Sequence, residues 1–140
     1  MKERKIMPFD KNFVPALRFA VMSDIHIDDE DCIEEQRFAK ALDDLKNLCS
    51  SDERYSGFDA LVTVGDFASR GSEIQMRKVK KILDASLPAD VRLIMTMASH
   101  EYMTDGEENA LRRFDEIFGL TPDTHAVING FDFIAVTTTR

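Results

Sequence analysis

Ala60-Leu61-Val62-Thr63-Val64-Gly65-Asp66 runs into a polar loop and then into Ser72-Glu73-Ile74-Gln75, and the reading of this stretch decides the fold class. The apolar run, bounded by Gly57 and Gly65, predicts a buried strand. Ser72 with Gln75 has the spacing of a capping box, in which each side chain satisfies the other's backbone N–H. Met76, Val79, Ile82 and Leu83 then recur on one helical face, and Pro88 closes the helix. Strand, loop and helix make one βα unit.

The same unit occurs on both sides. Upstream, Arg18-Phe19-Ala20-Val21-Met22 reads as a strand ending in Ser23-Asp24. Asp31 and Glu34 form an acidic helix start, and Phe38, Leu42, Leu45 and Leu48 mark the helix face. Downstream, Val91 to Met97 reads as a third strand. Thr104-Asp105-Gly106-Glu107 reads as another capping box, Leu111, Phe114 and Phe118 carry a third helix, and Gly119 stops it. His125–Ile128 and Phe131–Thr137 are two short runs joined by Asn129-Gly130, a tight-hairpin signal. The order β-α-β-α-β-α-β-β predicts an α/β fold with a mainly parallel sheet and right-handed crossovers. Residues 1–16 have no clear period and read as a lead-in arm; residues 17–140 read as the domain.

Bulk properties narrow the function. The chain has 140 residues, 44% of them hydrophobic and 31% charged, so it can bury a core. A formal net charge of −8 argues against wrapping DNA or RNA. Cys32 and Cys49 fall within one predicted helix, where they cannot pair, and read as free thiols of a reducing compartment. The start Lys2-Glu3-Arg4-Lys5 leads into no apolar h-region, and no stretch is long enough to span a bilayer. A cytoplasmic location is therefore expected.

In an open α/β sheet, ligands collect beyond the carboxyl ends of the strands. Strand one runs into Asp24-Ile25-His26, strand two into Gly65-Asp66, and strand three into Ser99-His100-Glu101. If the first segment is extended, Asp24 and His26 point the same way and grip one cation. Asp66, from the neighbouring strand, has two oxygens with which to bridge two cations. Mixed oxygen and nitrogen donors suit Mn, Fe or Zn better than Ca. Alone, Asp24 and His26 would read as a cap and a core histidine; with Asp66 beside them the site reading is favoured. Arg70 reads equally as a surface arginine, and His125 as structural. The run Asp28-Asp29-Glu30-Asp31 reads as a solvated helix start that complements the dipole. The seven methionines read as core filling.

Asp24-Ile25-His26, Gly65-Asp66-Phe67-Ala68-Ser69-Arg70-Gly71 and Ala98-Ser99-His100-Glu101, in that order, resemble the signature of the calcineurin-like metallophosphoesterases. The resemblance runs from about residue 17 to the last residue. It implies an α/β/β/α sandwich, of which this chain would supply the N-terminal half with a C-terminal hairpin. It implies two divalent transition metals (Mn, Fe or Zn) and hydrolysis of a phosphoester by a metal-activated water, as phosphatase or phosphodiesterase. Asp24 and His26 would hold the first metal, and Asp66 would bridge both. His100 would assist the leaving oxygen without ligating, with Glu101 orienting it. Arg70 matches the phosphate-binding arginine of the protein-phosphatase branch. Substrates would be phosphoester small molecules or phosphoproteins.

Departures from the pattern temper that expectation. Ser99 replaces the family's asparagine ligand to the second metal, and Ala98 its preceding glycine, so the second site is expected to be weak or empty. Ser69 stands where the protein-phosphatase branch has an acid. The family's later lone histidine and Gly-His-x-His block have no counterpart, since the only histidine after His100 is His125. This chain alone is therefore expected to bind metal weakly and turn over little. It is also expected to self-associate through an unpaired sheet edge and an uncovered apolar face, unless residues 1–16 cover that face. Two rival readings remain: a degenerate or truncated member acting as a non-catalytic binding module, and a receiver-like domain with an acidic Mg²⁺ pocket. His26 and His100 speak against the last, because such pockets use oxygen donors.

Overall fold

The computed structural model describes residues 12–137. Their order is β1 (Phe19–Met22), α1 (Ile33–Ser50), β2 (Ala60–Val64), α2 (Glu73–Ser86), β3 (Arg92–Thr96), a 3₁₀ turn over Ser99–Tyr102, α3 (Glu107–Phe118), β4 (Thr124–Ile128) and β5 (Phe131–Ala135). β1, β2 and β3 form a parallel sheet in that order, with Val21 opposite Val62 and Val62 opposite Ile94. β4 and β5 form an antiparallel hairpin. This is the mixed α/β architecture expected from the sequence. Because the three parallel strands are adjacent, their carboxyl ends form one rim.

The helices pack on one face of the sheet through the expected stripes. Phe38 and Leu42 of α1, Met76, Val79 and Leu83 of α2, and Phe114 and Phe118 of α3 are buried against Leu61, Met95 and Met97. Each such side chain contributes about 1.5–3 kcal/mol by leaving water. Phe67 is completely buried and packs on Phe114 and Phe118, with ring centroids 6.2 and 5.7 Å away. It follows Asp66 directly, so core packing anchors the chain beneath the rim. Leu48 departs from the expected stripe and is largely exposed, while Cys49 takes its place in the core. Both cysteines are free.

Capping differs from expectation at two helices. The Ser72–Gln75 box is formed in both directions. α1, however, has Cys32 rather than Asp31 at its N-cap, with no side-chain cap bond. The acidic run lies against α2 instead: Asp29 takes the Ser72 hydroxyl, and Lys78 donates to the Glu30 carbonyl. α3 begins after Gly106 (φ 86°), which has no side chain with which to cap it. Thr104, expected to cap it, has another partner described below, as does Asp105. Gly119 ends α3 in the left-handed conformation, as expected.

Asn129 and Gly130 both have positive φ (52° and 83°), the geometry of a two-residue hairpin turn. The Asn129 amide donates to the Ala16 carbonyl, the Tyr55 hydroxyl and Asp59, which pins the hairpin to the amino end of the sheet. Phe133 stacks edge-on against Phe19 at 5.2 Å. The hairpin thus covers part of the sheet's second face. Val21, Val64, Ile134 and Val136 remain exposed. No helix among the described residues is long and apolar enough to cross a membrane. Of the lead-in arm, residues 1–11 lie outside the described residues.

Candidate metal centre

One donor atom each from His26, Asp66 and His100 lies within 4.8 Å of the others. These residues leave the tips of β1, β2 and β3 respectively, so the cluster follows from the strand order. The His26 and His100 rings meet edge to face, with centroids 4.5 Å apart. Two imidazoles and a carboxylate form a donor set suited to a transition-metal cation.

The backbone at the site is not the extended segment expected from the sequence. Asp24, His26 and Asp66 have φ of 54°, 54° and 51°, in the left-handed region. Of the non-glycine residues described, only Asn129 joins them. Such residues cost on the order of 1–3 kcal/mol each and persist where the surroundings over-determine them. Here the restraint is a ladder between the two tips. Asp24 N–H donates to the Gly65 carbonyl, His26 N–H to Asp66 and Ile27 N–H to Phe67 (3.3, 3.1 and 3.1 Å). Ser69 N–H returns to the Ile27 carbonyl at 2.9 Å. Asp24 consequently does not join the cluster. Its carboxylate is mostly exposed, accepts from the Ser23 hydroxyl, and stands 3.9 Å from His26 Nε2.

Glu101 has a role other than the expected one. Its side chain is completely buried and its carboxylate accepts three backbone N–H groups. Two come from Asp66 and Ala68 after β2, and one from Ala98 after β3, at 2.9, 3.0 and 2.8 Å. Both oxygens are engaged, so the carboxylate staples the second and third strand tips together. Burial pushes this carboxyl above its ordinary value; the three N–H bonds oppose that rise and the nearby Asp66 charge adds to it.

The His100 ring is held instead by Ser69, whose carbonyl lies 2.7 Å from Nδ1. A carbonyl only accepts, so Nδ1 carries the proton and Nε2 the lone pair. The Ser69 hydroxyl donates to the His26 carbonyl at 2.9 Å, so one serine fixes both histidine segments. Asp66 Oδ1 accepts the His100 backbone N–H at 3.1 Å, leaving Oδ2 open. Ser99 opens the 3₁₀ turn, half-buried, with no hydrogen bond to its hydroxyl among the described residues. Arg70 is exposed; its backbone is held by Gln75 and Thr104, while its guanidinium has no partner among the described residues. His125 pairs across the hairpin with Asp132 at 2.6 Å, away from the site.

A family model described as calcineurin-like phosphoesterase matches residues 17–139 of this chain. The chain belongs to that family. No curated protein matches it. The family is metal-dependent, and the fit of this member's donors is uneven. His26, Asp66 and His100 suit one cation. The resemblance sets Ser99 at the second cation's amide position, where a hydroxyl would be a shorter and poorer donor.

Two glycines allow this family member's loops to close on each other. A Cβ at Gly71 (φ 73°) would lie 2.0 Å from the Glu101 carbonyl oxygen, and one at Gly65 (φ 87°) 2.3 Å from Ala98 Cβ. Gly71→Ala is therefore expected to cost more than about 2 kcal/mol, from the positive φ and the backbone clash together. Chemical denaturation measures this, and a loss below about 0.5 kcal/mol, typical of a neutral surface change, would show that the loop tolerates the shift.

Sequence reading missed Arg113, and gave Thr104 a capping role in place of its bond to the Arg70 carbonyl. Arg113 is nearly buried; its Nε donates to the Gly71 carbonyl at 2.9 Å, and its two terminal nitrogens grip Asp105 at 2.7 and 3.0 Å. A signal for it exists, because Arg113 falls on the same helical face as Ala110, Phe114 and Ile117. A charge on an apolar stripe requires a buried partner. The Arg113 guanidinium holds the Asp105 carboxyl below its ordinary value. A depressed folded-state value stabilises above the ordinary carboxylate range and is lost as pH falls through it. Melting temperature is thus expected to fall on acidification below about pH 4, and Asp105→Asn to flatten that limb.

Proposed function

We propose that this chain carries the phosphoester-hydrolysing centre of a metallophosphoesterase, of phosphatase or phosphodiesterase type, acting on a small-molecule phosphoester or a phosphoprotein. The observation that carries the reading is the convergence of His26, Asp66 and His100 at three adjacent strand tips, within a chain matched to the family over residues 17–139. Mn, Fe or Zn fits the donors. A bound cation would polarise the phosphoryl group and lower the pKa of a coordinated water, making water the nucleophile.

The chain's own residues have the following roles in this reading. Asp66 offers Oδ2 to the cation while Oδ1 holds the His100 backbone. His26 offers a ring nitrogen, and Asp24 reaches the same cation by a side-chain rotation. His100, with Nδ1–H tied to Ser69, would need a second proton on Nε2 to donate to the leaving oxygen, and Arg70 would take a phosphoryl oxygen. Glu101 fixes the tips. A second role for His100 is favoured by its ring lying in the donor cluster: with Ser99 in place of an amide, His100 Nε2 serves as a ligand. Three clear donors are too few for a pair of cations, so weak binding and low turnover by this chain alone belong to the reading. The runner-up is a binding module without catalysis.

The test is hydrolysis of p-nitrophenyl phosphate and bis-p-nitrophenyl phosphate with and without Mn²⁺. Slow, metal-dependent release by the wild type and none by Asp66→Asn are expected, and the better substrate separates monoesterase from diesterase. Robust turnover by the isolated chain would refute the weak-site part. Metal binding without turnover would favour the binding module.

A further inference from the structure

Three consecutive carbonyls in the loop after β2 each receive a side-chain donor from the segment after β3. His100 Nδ1 takes Ser69 at 2.7 Å, Thr104 Oγ1 takes Arg70 at 2.7 Å, and Arg113 Nε takes Gly71 at 2.9 Å. Only the first bond involves a residue of the donor cluster. The last comes from inside α3, from a guanidinium that is almost wholly buried and has every nitrogen engaged. We propose that Arg113, braced by Asp105, is a positioning residue for His100: it fixes the loop whose Ser69 carbonyl holds the proton on His100 Nδ1.

The physical case is one of leverage over a short distance. Gly71 lies flush against the Glu101 backbone and has no side chain to hold it. Its peptide is held at the carbonyl by Arg113 at 2.9 Å and, more loosely, at the Ser72 N–H by the Gln75 side-chain oxygen at 3.4 Å. A bidentate guanidinium–carboxylate pair has a rigid fork, so Nε cannot swing away while Asp105 is held. Ser69 lies two peptide units back along the same loop. Gln75 holds the N–H of the peptide that carries the Ser69 carbonyl, at Arg70, at 2.8 Å, and Arg113 holds the Gly71 end, so that carbonyl faces His100 while both restraints act together. If the loop turns, His100 loses the acceptor that sets its tautomer, and the Nε2 lone pair is no longer the dominant form. Arg70 sits between the two clamped residues, so the same brace sets where its guanidinium starts.

The test uses the full chain labelled with ¹⁵N, free of metal, at a pH above the ordinary histidine range. Imidazole nitrogen spectra should show wild-type His100 as a single Nδ1–H tautomer. Arg113→Gln should give a mixture of tautomers at His100 while His125 stays unchanged. Arg112→Gln, a neighbour that pairs with the exposed Glu116, should leave both unchanged. Titration with Zn²⁺ should show at least about tenfold weaker binding by Arg113→Gln, the usual effect of removing an outer support of a ligand. This arm rests on the metal reading; the tautomer arm needs neither metal nor phosphoester, so the two fail separately. If Arg113→Gln does not fold, Asp105→Asn, which unbraces the fork from the surface side, carries the same expectation at smaller amplitude. Unchanged His100 tautomer and Zn²⁺ affinity, with only a lower melting temperature, would overturn the proposal.

Discussion

Glu101→Ala lowers stability by about 3–5 kcal/mol, the expected loss when a buried charge leaves its partners unpaired. Three backbone N–H groups from two strand tips point at this carboxylate, and the alanine side chain offers them nothing. Each buried donor left without an acceptor costs about 1–3 kcal/mol, less where water enters the space vacated by the carboxyl. The melting temperature should fall by about 10 °C or more. Glu101→Gln separates charge from shape. One oxygen still accepts, but the amide nitrogen now faces a backbone donor, so a loss of about half the alanine value is expected. Urea denaturation measures both. A loss below about 1 kcal/mol for the alanine variant would mean that the tips are held by the backbone ladder alone.

Asp66→Asn weakens Zn²⁺ or Mn²⁺ binding by on the order of 100-fold while leaving the fold intact. Asparagine is the cleaner substitution here. It tolerates the left-handed backbone at φ 51°, whereas alanine would add strain. Its amide oxygen can still accept the His100 backbone N–H, so the tip geometry survives. What is lost is the one negative charge in a donor set that otherwise consists of two neutral imidazoles. Without it the cation keeps two neutral imidazoles and only the mostly exposed Asp24 carboxylate within reach, in an environment only half-buried. Calorimetric titration against wild type gives the ratio, and the unfolding transition serves as the control. Wild-type affinity in this variant would place any bound cation elsewhere.

How much of this was legible in the sequence depends on whether the signal was local. The βα order, the Ser72–Gln75 box, Gly119 and Asn129-Gly130 all formed as read, because each depends on neighbours within a few residues. The placement of His26, Asp66 and His100 at one rim was also legible, since adjacent parallel strands bring their tips together. The conformation of Asp24-Ile25-His26 was not. An extended reading is the default for a strand exit, and nothing local signals that the Gly65–Phe67 carbonyls will turn it left-handed. The same limit explains Asp31 and Thr104. Both have capping chemistry, but Thr104 finds a better use on the Arg70 carbonyl, which is remote in sequence. Glu101 was expected to orient His100, and its carboxylate holds backbone groups instead. From sequence its neighbour His100 is the obvious partner, while its actual acceptor role faces three backbone groups.

The account rests on one cation being shared by His26, Asp66 and His100. The chain has three histidines, which makes the test internally controlled. Zn²⁺ titration of the wild-type chain, followed by imidazole nitrogen resonances, should shift His26 and His100 together with one binding curve and leave His125 where it was. Shifts confined to His125, or no saturable shift at His26 and His100, would contradict it.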